Sequence, residues 1–132
     1  MIDKEVKIFN NVHPVVAPLC AKNAFLSTQV KDTTKLPTAG LWEMNNATVR
    51  AAQGSTPNEY RARITYQFEV YAATKAECRK VFSAGDTRMI RMNFDRISMQ
   101  YVTYPDNVNV VRIVARYEAE IDADGNLYRT SR

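Results

Sequence analysis

Strict alternation over residues 60–70 restricts this chain more than any other feature. The even positions are apolar (Tyr60, Ala62, Ile64, Tyr66, Phe68, Val70) and the odd ones polar (Arg61, Arg63, Thr65, Gln67, Glu69). Successive side chains of a strand leave on opposite faces, so an extended segment separates these two sets and a helix would mix them. The spacing predicts a long antiparallel strand with one face on a core and the other in water. Residues 108–121 repeat the pattern, with Val111, Ile113, Ala115, Tyr117, Ala119 and Ile121 opposite Arg112, Arg116, Glu118 and Glu120. A third alternating run, over 94–104, sets Ile97, Met99 and Tyr101 against Arg96, Ser98 and Gln100, and Pro105-Asp106-Asn107 reads as the turn that follows.

Helical signals flank these strands. Thr74 and Glu77 have the spacing of a capping box, which predicts a helix to about residue 92 carrying Cys78, Val81, Phe82, Met89 and Ile90 on one side, with Gly85 loosening its middle. Near the start, Val6, Phe9, Val12, Val16 and Leu19 recur close to a helical period. Pro14 and Pro18 interrupt that run, so the expected helix covers residues 3–12 and an irregular passage follows. Short strands are expected over 24–30 and 38–45. Residues 46–59 hold turn formers and little that anchors a core, and read as an exposed loop. The resulting expectation is one α+β domain over residues 1–132: a mainly antiparallel sheet of about four to five strands with two helices packed on one face.

Charge and composition narrow the function classes. A net charge of +4 arises from 18 basic and 14 acidic residues, but the basic ones are scattered, whereas nucleic-acid binders concentrate them in a stripe or run. No apolar stretch approaches the ~20 residues of a membrane span. The run Met1-Ile2-Asp3-Lys4-Glu5 lacks the apolar region of a signal peptide, so a cytosolic origin is expected, with Cys20 and Cys78 reduced and packed.

The sequence offers little catalytic chemistry. The single histidine, His13, has no oriented partner nearby in sequence, as a general base needs. Gly40, Gly54, Gly85 and Gly125 form no phosphate-cradling cluster. Asp122-Ala123-Asp124-Gly125 matches part of a calcium loop but lacks its upstream aspartate and downstream glutamate, and a hairpin turn accounts for it. One histidine and two distant cysteines do not make a zinc tetrahedron. The expectation is a non-enzyme with no cofactor and no bound metal.

Arginine placement points instead to protein contacts. Arg61, Arg63, Arg96, Arg112 and Arg116 fall on the polar faces of expected strands, and none of the seven lysines does. Arginine's planar fork suits partly buried pairing and is enriched at interfaces. With Glu69, Glu118 and Glu120 nearby, these residues make a candidate subunit interface; a solvated face laced with weak ion pairs is the alternative. An open sheet also has two edges that must be covered, charged or paired, and head-to-tail pairing between copies closes into a ring.

With these segments placed, the chain resembles the tail-terminator (tail-completion) family of long-tailed bacteriophages, whose members are also labelled minor capsid or head–tail joining proteins. The stretches that carry the likeness begin with Val12-His13-Pro14-Val15-Val16-Ala17, Leu36-Pro37-Thr38-Ala39 and Glu43-Met44-Asn45-Asn46. They continue through Phe68-Glu69-Val70-Tyr71-Ala72, Glu77-Cys78-Arg79-Lys80 and Phe94-Asp95-Arg96 to Arg112-Ile113-Val114-Ala115-Arg116-Tyr117 and Leu127-Tyr128-Arg129, in order over almost the full length.

The resemblance implies a virion protein at the head–tail junction, assembled in the host cytoplasm as a homo-oligomeric ring, a hexamer in the family. Such a ring caps the tail tube, stops its polymerisation and joins it to the head-completion protein, with DNA only passing through the channel. The loop residues Arg50, Gln53, Ser55 and Asn58 are then expected to dock on the tail-tube protein. A head-completion connector is the alternative within virion proteins. A nucleic-acid-binding module is a further one, set back because Tyr66, Phe68, Tyr101 and Tyr117 share the expected core face.

Overall fold

A computed structural model describes residues 1–31, 33, 35–49, 61–103 and 110–130. Helix α1 spans Glu5–Val16, and two single helical turns follow at Ala17–Leu19 and Ala21–Asn23. Strands β1 (Phe25–Leu26), β2 (Thr38–Val49) and β3 (Arg61–Ala72) precede helix α2 (Lys75–Arg91). Strands β4 (Asp95–Thr103), β5 (Val111–Asp122) and β6 (Leu127–Tyr128) complete the chain. The strands form one sheet in the order β1-β2-β3-β5-β4, with β6 pairing β5 where β4 leaves off. All pairings are antiparallel except β1 with β2. The α+β architecture with two helices on one sheet face matches the sequence-based expectation, and the short β6 brings the strands among the described residues to six.

Long pairing holds the centre. Strands β3 and β5 pair along their whole length, from Arg61 opposite Asp122 to Ala72 opposite Val111. On the helix side this aligns Ile64 with Ala119, Tyr66 with Tyr117, Phe68 with Ala115 and Val70 with Ile113, all buried. Helix α1 lays Ile8, Val12 and Val16 on this face, and α2 adds Cys78, Val81, Phe82 and Met89. Phe68 sits between rings: it stacks on Phe82 at 5.8 Å and meets Phe25 edge-on at 6.2 Å.

Several expectations need correction. Helix α1 runs through Pro14 to Val16 instead of stopping at residue 12. Pro14 and Asn10 are both exposed, so the carbonyl that loses its helical donor faces water, which lowers the cost of a proline inside a helix. Its buried stripe is Ile8-Val12-Val16, whereas Val6 is exposed. Strand β1 has only two residues of the expected 24–30, because the chain leaves the sheet edge after Leu26 and crosses the other face. Strand β2 continues to Val49, so residues 46–49 belong to the sheet; the rest of the expected loop lies outside the described residues.

Gly85 does not loosen α2. It is buried, and a Cβ there would lie 2.5 Å from the Phe68 ring and 3.2 Å from Val16 Cγ2. The glycine lets the helix approach the sheet closely. Thr74 caps this helix as expected, its hydroxyl accepting from the Glu77 amide at 3.2 Å. Gly85→Ala gains up to about 1 kcal/mol in helix propensity, but overpacking a fully buried ring costs about 1–3 kcal/mol. A net destabilisation is expected, read as a lower midpoint in denaturant.

Candidate functional site

The second sheet face carries the predicted polar residues, and the β3–β5 register decides what they do. Arg63 stands opposite Glu120, Thr65 opposite Glu118 and Gln67 opposite Arg116. Glu120 accepts from both Arg61 and Arg63 at 3.3 Å, and Arg116 Nε donates to Gln67 Oε1 at 3.3 Å. The Arg61 guanidinium also lies 3.8 Å from the centroid of the Tyr128 ring. These are pairs within one subunit, and the exposed ones contribute little each.

Glu69 departs furthest from expectation. It lies on the polar face, as alternation requires, but is 0% exposed and therefore makes no subunit contact. The chain leaving β1 folds over this end of the face, where Val30, Tyr71 and Val110 form a small second core with Leu36 at its rim. Glu69 holds the cover down. Its carboxylate accepts from the Val30 amide at 2.9 Å and from Arg112 Nη2 at 2.7 Å. Arg112 further packs over Tyr71, 5.3 Å from the ring centroid. Sequence alternation gave no sign of this cover, since Val30 lies 39 residues away from Glu69.

Arg96 is not on that face at all. A bulge between Arg96 and Ser98 shifts the register of β4, so Arg96 stands opposite Tyr117 on the helix side. There it pairs with Asp86 of α2 at 3.1 Å, and the same carboxylate accepts from the Tyr117 hydroxyl at 2.7 Å. Burial and that bond push the Tyr117 hydroxyl's pKa up. The eight candidate interface residues are thus split. Glu69 and Arg112 lock a loop, Arg96 locks α2, and Arg61, Arg63, Arg116, Glu118 and Glu120 remain on the open part of the sheet. The docking residues Arg50, Gln53, Ser55 and Asn58 lie outside the described residues.

The other candidates are absorbed by the fold. His13 packs between Phe9 and Phe25, at ring distances of 5.6 and 5.9 Å. Burial pushes the thiols of Cys20 and Cys78 up to about 11, and Cys78 Sγ lies 3.4 Å from the Val70 carbonyl. The Asp122 carboxylate accepts from the amides of Asp124 and Asn126 and from the Tyr128 hydroxyl, closing the β5–β6 turn. Among the described residues no three metal-ligating side chains come together, and no helix is long and apolar enough to cross a membrane.

What remains open is the sheet's edge. Strand β4 pairs on one side only among the described strands, and residues 96–101 are exposed on both faces. Ile97, Met99 and Tyr101 are 52%, 39% and 40% exposed, where the expected alternation had placed them against the core. Besides the Asp86–Arg96 pair, helix α2 reaches this edge through the long side chains of Lys75 and Arg79, which lie 4.6 and 5.6 Å from the Tyr101 ring centroid. At the opposite side the start of the chain packs on β2: Glu5 Oε2 accepts the Glu43 backbone amide at 3.0 Å, and the Asn46 side chain donates through Nδ2 to the Ile2 carbonyl at 2.7 Å. No protein-family model matches the chain, and no curated protein matches it.

Glu69→Ala strands the Arg112 charge and the Val30 amide together, so it is expected to cost about 3–5 kcal/mol in a denaturation experiment. Arg116→Ala, on the same face but exposed, is expected to stay within about 0.5 kcal/mol of the parent. Asp122 gives a pH test. Hydrogen bonds from the Asn126 amide and the Tyr128 hydroxyl lower its pKa from 3.8 to about 2. Its contribution to stability is therefore complete above the ordinary carboxylate range and is lost as the pH falls through about 2. Acid titration of Asp122→Ala against the parent is expected to show their stabilities converging over that interval.

Proposed function

We propose that this chain is the subunit of a ring that caps a phage tail tube, ends its polymerisation and offers the surface to which the head joins. The single observation that supports the reading is the β4 edge. A nine-residue strand that pairs on one side only among the described strands and carries three exposed apolar side chains is the kind of surface on which another chain can pair. The likeness of the sequence motifs to tail-terminator proteins says what kind of assembly that partner belongs to. Six copies, contact with the tail-tube and head-completion proteins, and a place at the head–tail junction all follow from the likeness.

On this reading the function is geometric. The ring must seat on the last layer of tube subunits and deny further subunits their place, which calls for complementary surfaces and no bond chemistry. On this reading Arg50, Gln53, Ser55 and Asn58, outside the described residues, are the ones expected to seat on the tube. Electron microscopy of the purified protein mixed with polymerising tail-tube protein is expected to show tubes of arrested length with a ring at one tip. Deleting residues 51–57 is expected to leave the circular dichroism of the folded domain unchanged while tubes grow unchecked. Normal arrest by the deletion variant excludes the loop, and uncapped tubes with the parent exclude the proposal.

A further inference from the structure

Two patches lie at opposite lateral sides of the domain, and they differ in charge. On the α2/β4 side are the exposed Ile97, Met99 and Tyr101, with Lys75 and Arg79 over the tyrosine. Neither cation makes an ion pair with a described residue; the pairs formed nearby are Arg96 with Asp86 and Arg129 with Asp95. On the α1/β2 side are the exposed Val6 and Met44, with Asp3, Glu5 and Glu43 around them. Among the described residues, the ion pairs formed join none of these three carboxylates to a cation. Burial raises the pKa of Glu43, and repulsion from Glu5 and Asp3 adds to it. The nearby Lys4 and Lys7 are turned to the Gly125 turn.

The buried Tyr66 hydroxyl bonds to Glu43 and lies within the field of the same three carboxylates. Extra negative charge at a partly apolar surface favours a basic, partly apolar partner. The opposite side of the same molecule has that chemistry.

We infer that the α2/β4 patch of one copy docks on the α1/β2 patch of the next, a head-to-tail contact that sets Lys75 and Arg79 beside Asp3, Glu5 and Glu43. The contact rests on the ring reading above and names its interface, which lies at the two lateral sides and not on the arginine-bearing sheet face. Symmetrical pairing of β4 with β4 is the competing arrangement. It brings like charges together, because each copy presents Lys75 and Arg79 at that edge. A head-to-tail contact leaves one free patch of each kind at its ends, so it propagates until it closes.

Cross-linking of single-cysteine additions tests the arrangement directly. Met44→Cys copies and Met99→Cys copies are made separately and treated with a short bis-maleimide, alone and mixed; the parent, with Cys20 and Cys78 buried, is the blank. The expected result is a cross-linked dimer in the mixture only, and a ladder of higher species from the Met44→Cys/Met99→Cys double variant. A Lys75→Glu/Arg79→Glu background is expected to lower the mixed yield about tenfold at low salt. Dimers from Met99→Cys alone overturn the inference in favour of the symmetrical edge. No mixed cross-link, or a yield indifferent to charge reversal, overturns it outright. Tubes capped without the mixed cross-link remove this contact and keep the tail reading. The mixed cross-link without capping keeps the contact and removes that reading.

Discussion

Register between β3 and β5 is the constraint on which the molecule depends. Their full-length pairing puts Phe68 beside Ala115 and Ile64 beside Ala119, where large side chains meet small ones, and sets Tyr66 beside Tyr117 and Val70 beside Ile113 on the same apolar face under the helices. A slip of one residue would turn Arg63, Gln67 and Glu69 into the core and Tyr66 and Phe68 into water. The helices follow from this surface. Gly85 brings α2 down onto Phe68, and Val12 and Val16 of α1 fill the remaining part of the same apolar face.

The same register organises the opposite face, which divides into two zones. Towards Ala72, the chain from β1 seals Glu69 beneath Val30 and makes a charged pair part of the interior. Such a pair contributes modestly to net stability but makes loss of either member costly, because the survivor stays buried. It therefore fixes where the covering loop lies. Towards Arg61, the face is open, and Glu120 is shared between two arginines. Arg61, Arg63, Arg112 and Arg116 on this face each bond a side chain of the same chain.

The proposed association belongs to the edges. On one side of the sheet Glu5 of α1 accepts the Glu43 amide and Asn46 ties down the chain before α1, whereas on the other, β4 pairs on one side only among the described strands and its apolar side chains are half in water. In the proposed contact, exposed apolar area and unpaired strand backbone draw in another chain, and opposite charges at the two sides give that attraction a direction. A ring needs such polarity within each subunit, and the proposed capping role uses the ring's closure instead of any reactive group.

The sequence alone determined the two long strands, the capped helix that follows the first of them and the α+β class, because alternation and capping are local signals that survive without neighbours. It also marked Asp122-Ala123-Asp124-Gly125 as a turn, where the carboxylate is consumed by bonds no more than six residues away. Tertiary structure decided the rest. That β5 inserts between β3 and β4, that a bulge turns Arg96 to the helix side, and that Val30 buries Glu69 are all matters of which distant segments meet. The period of a strand says which residues share a face; whether that face meets water, a loop or another subunit depends on contacts across tens of residues, which no local pattern encodes.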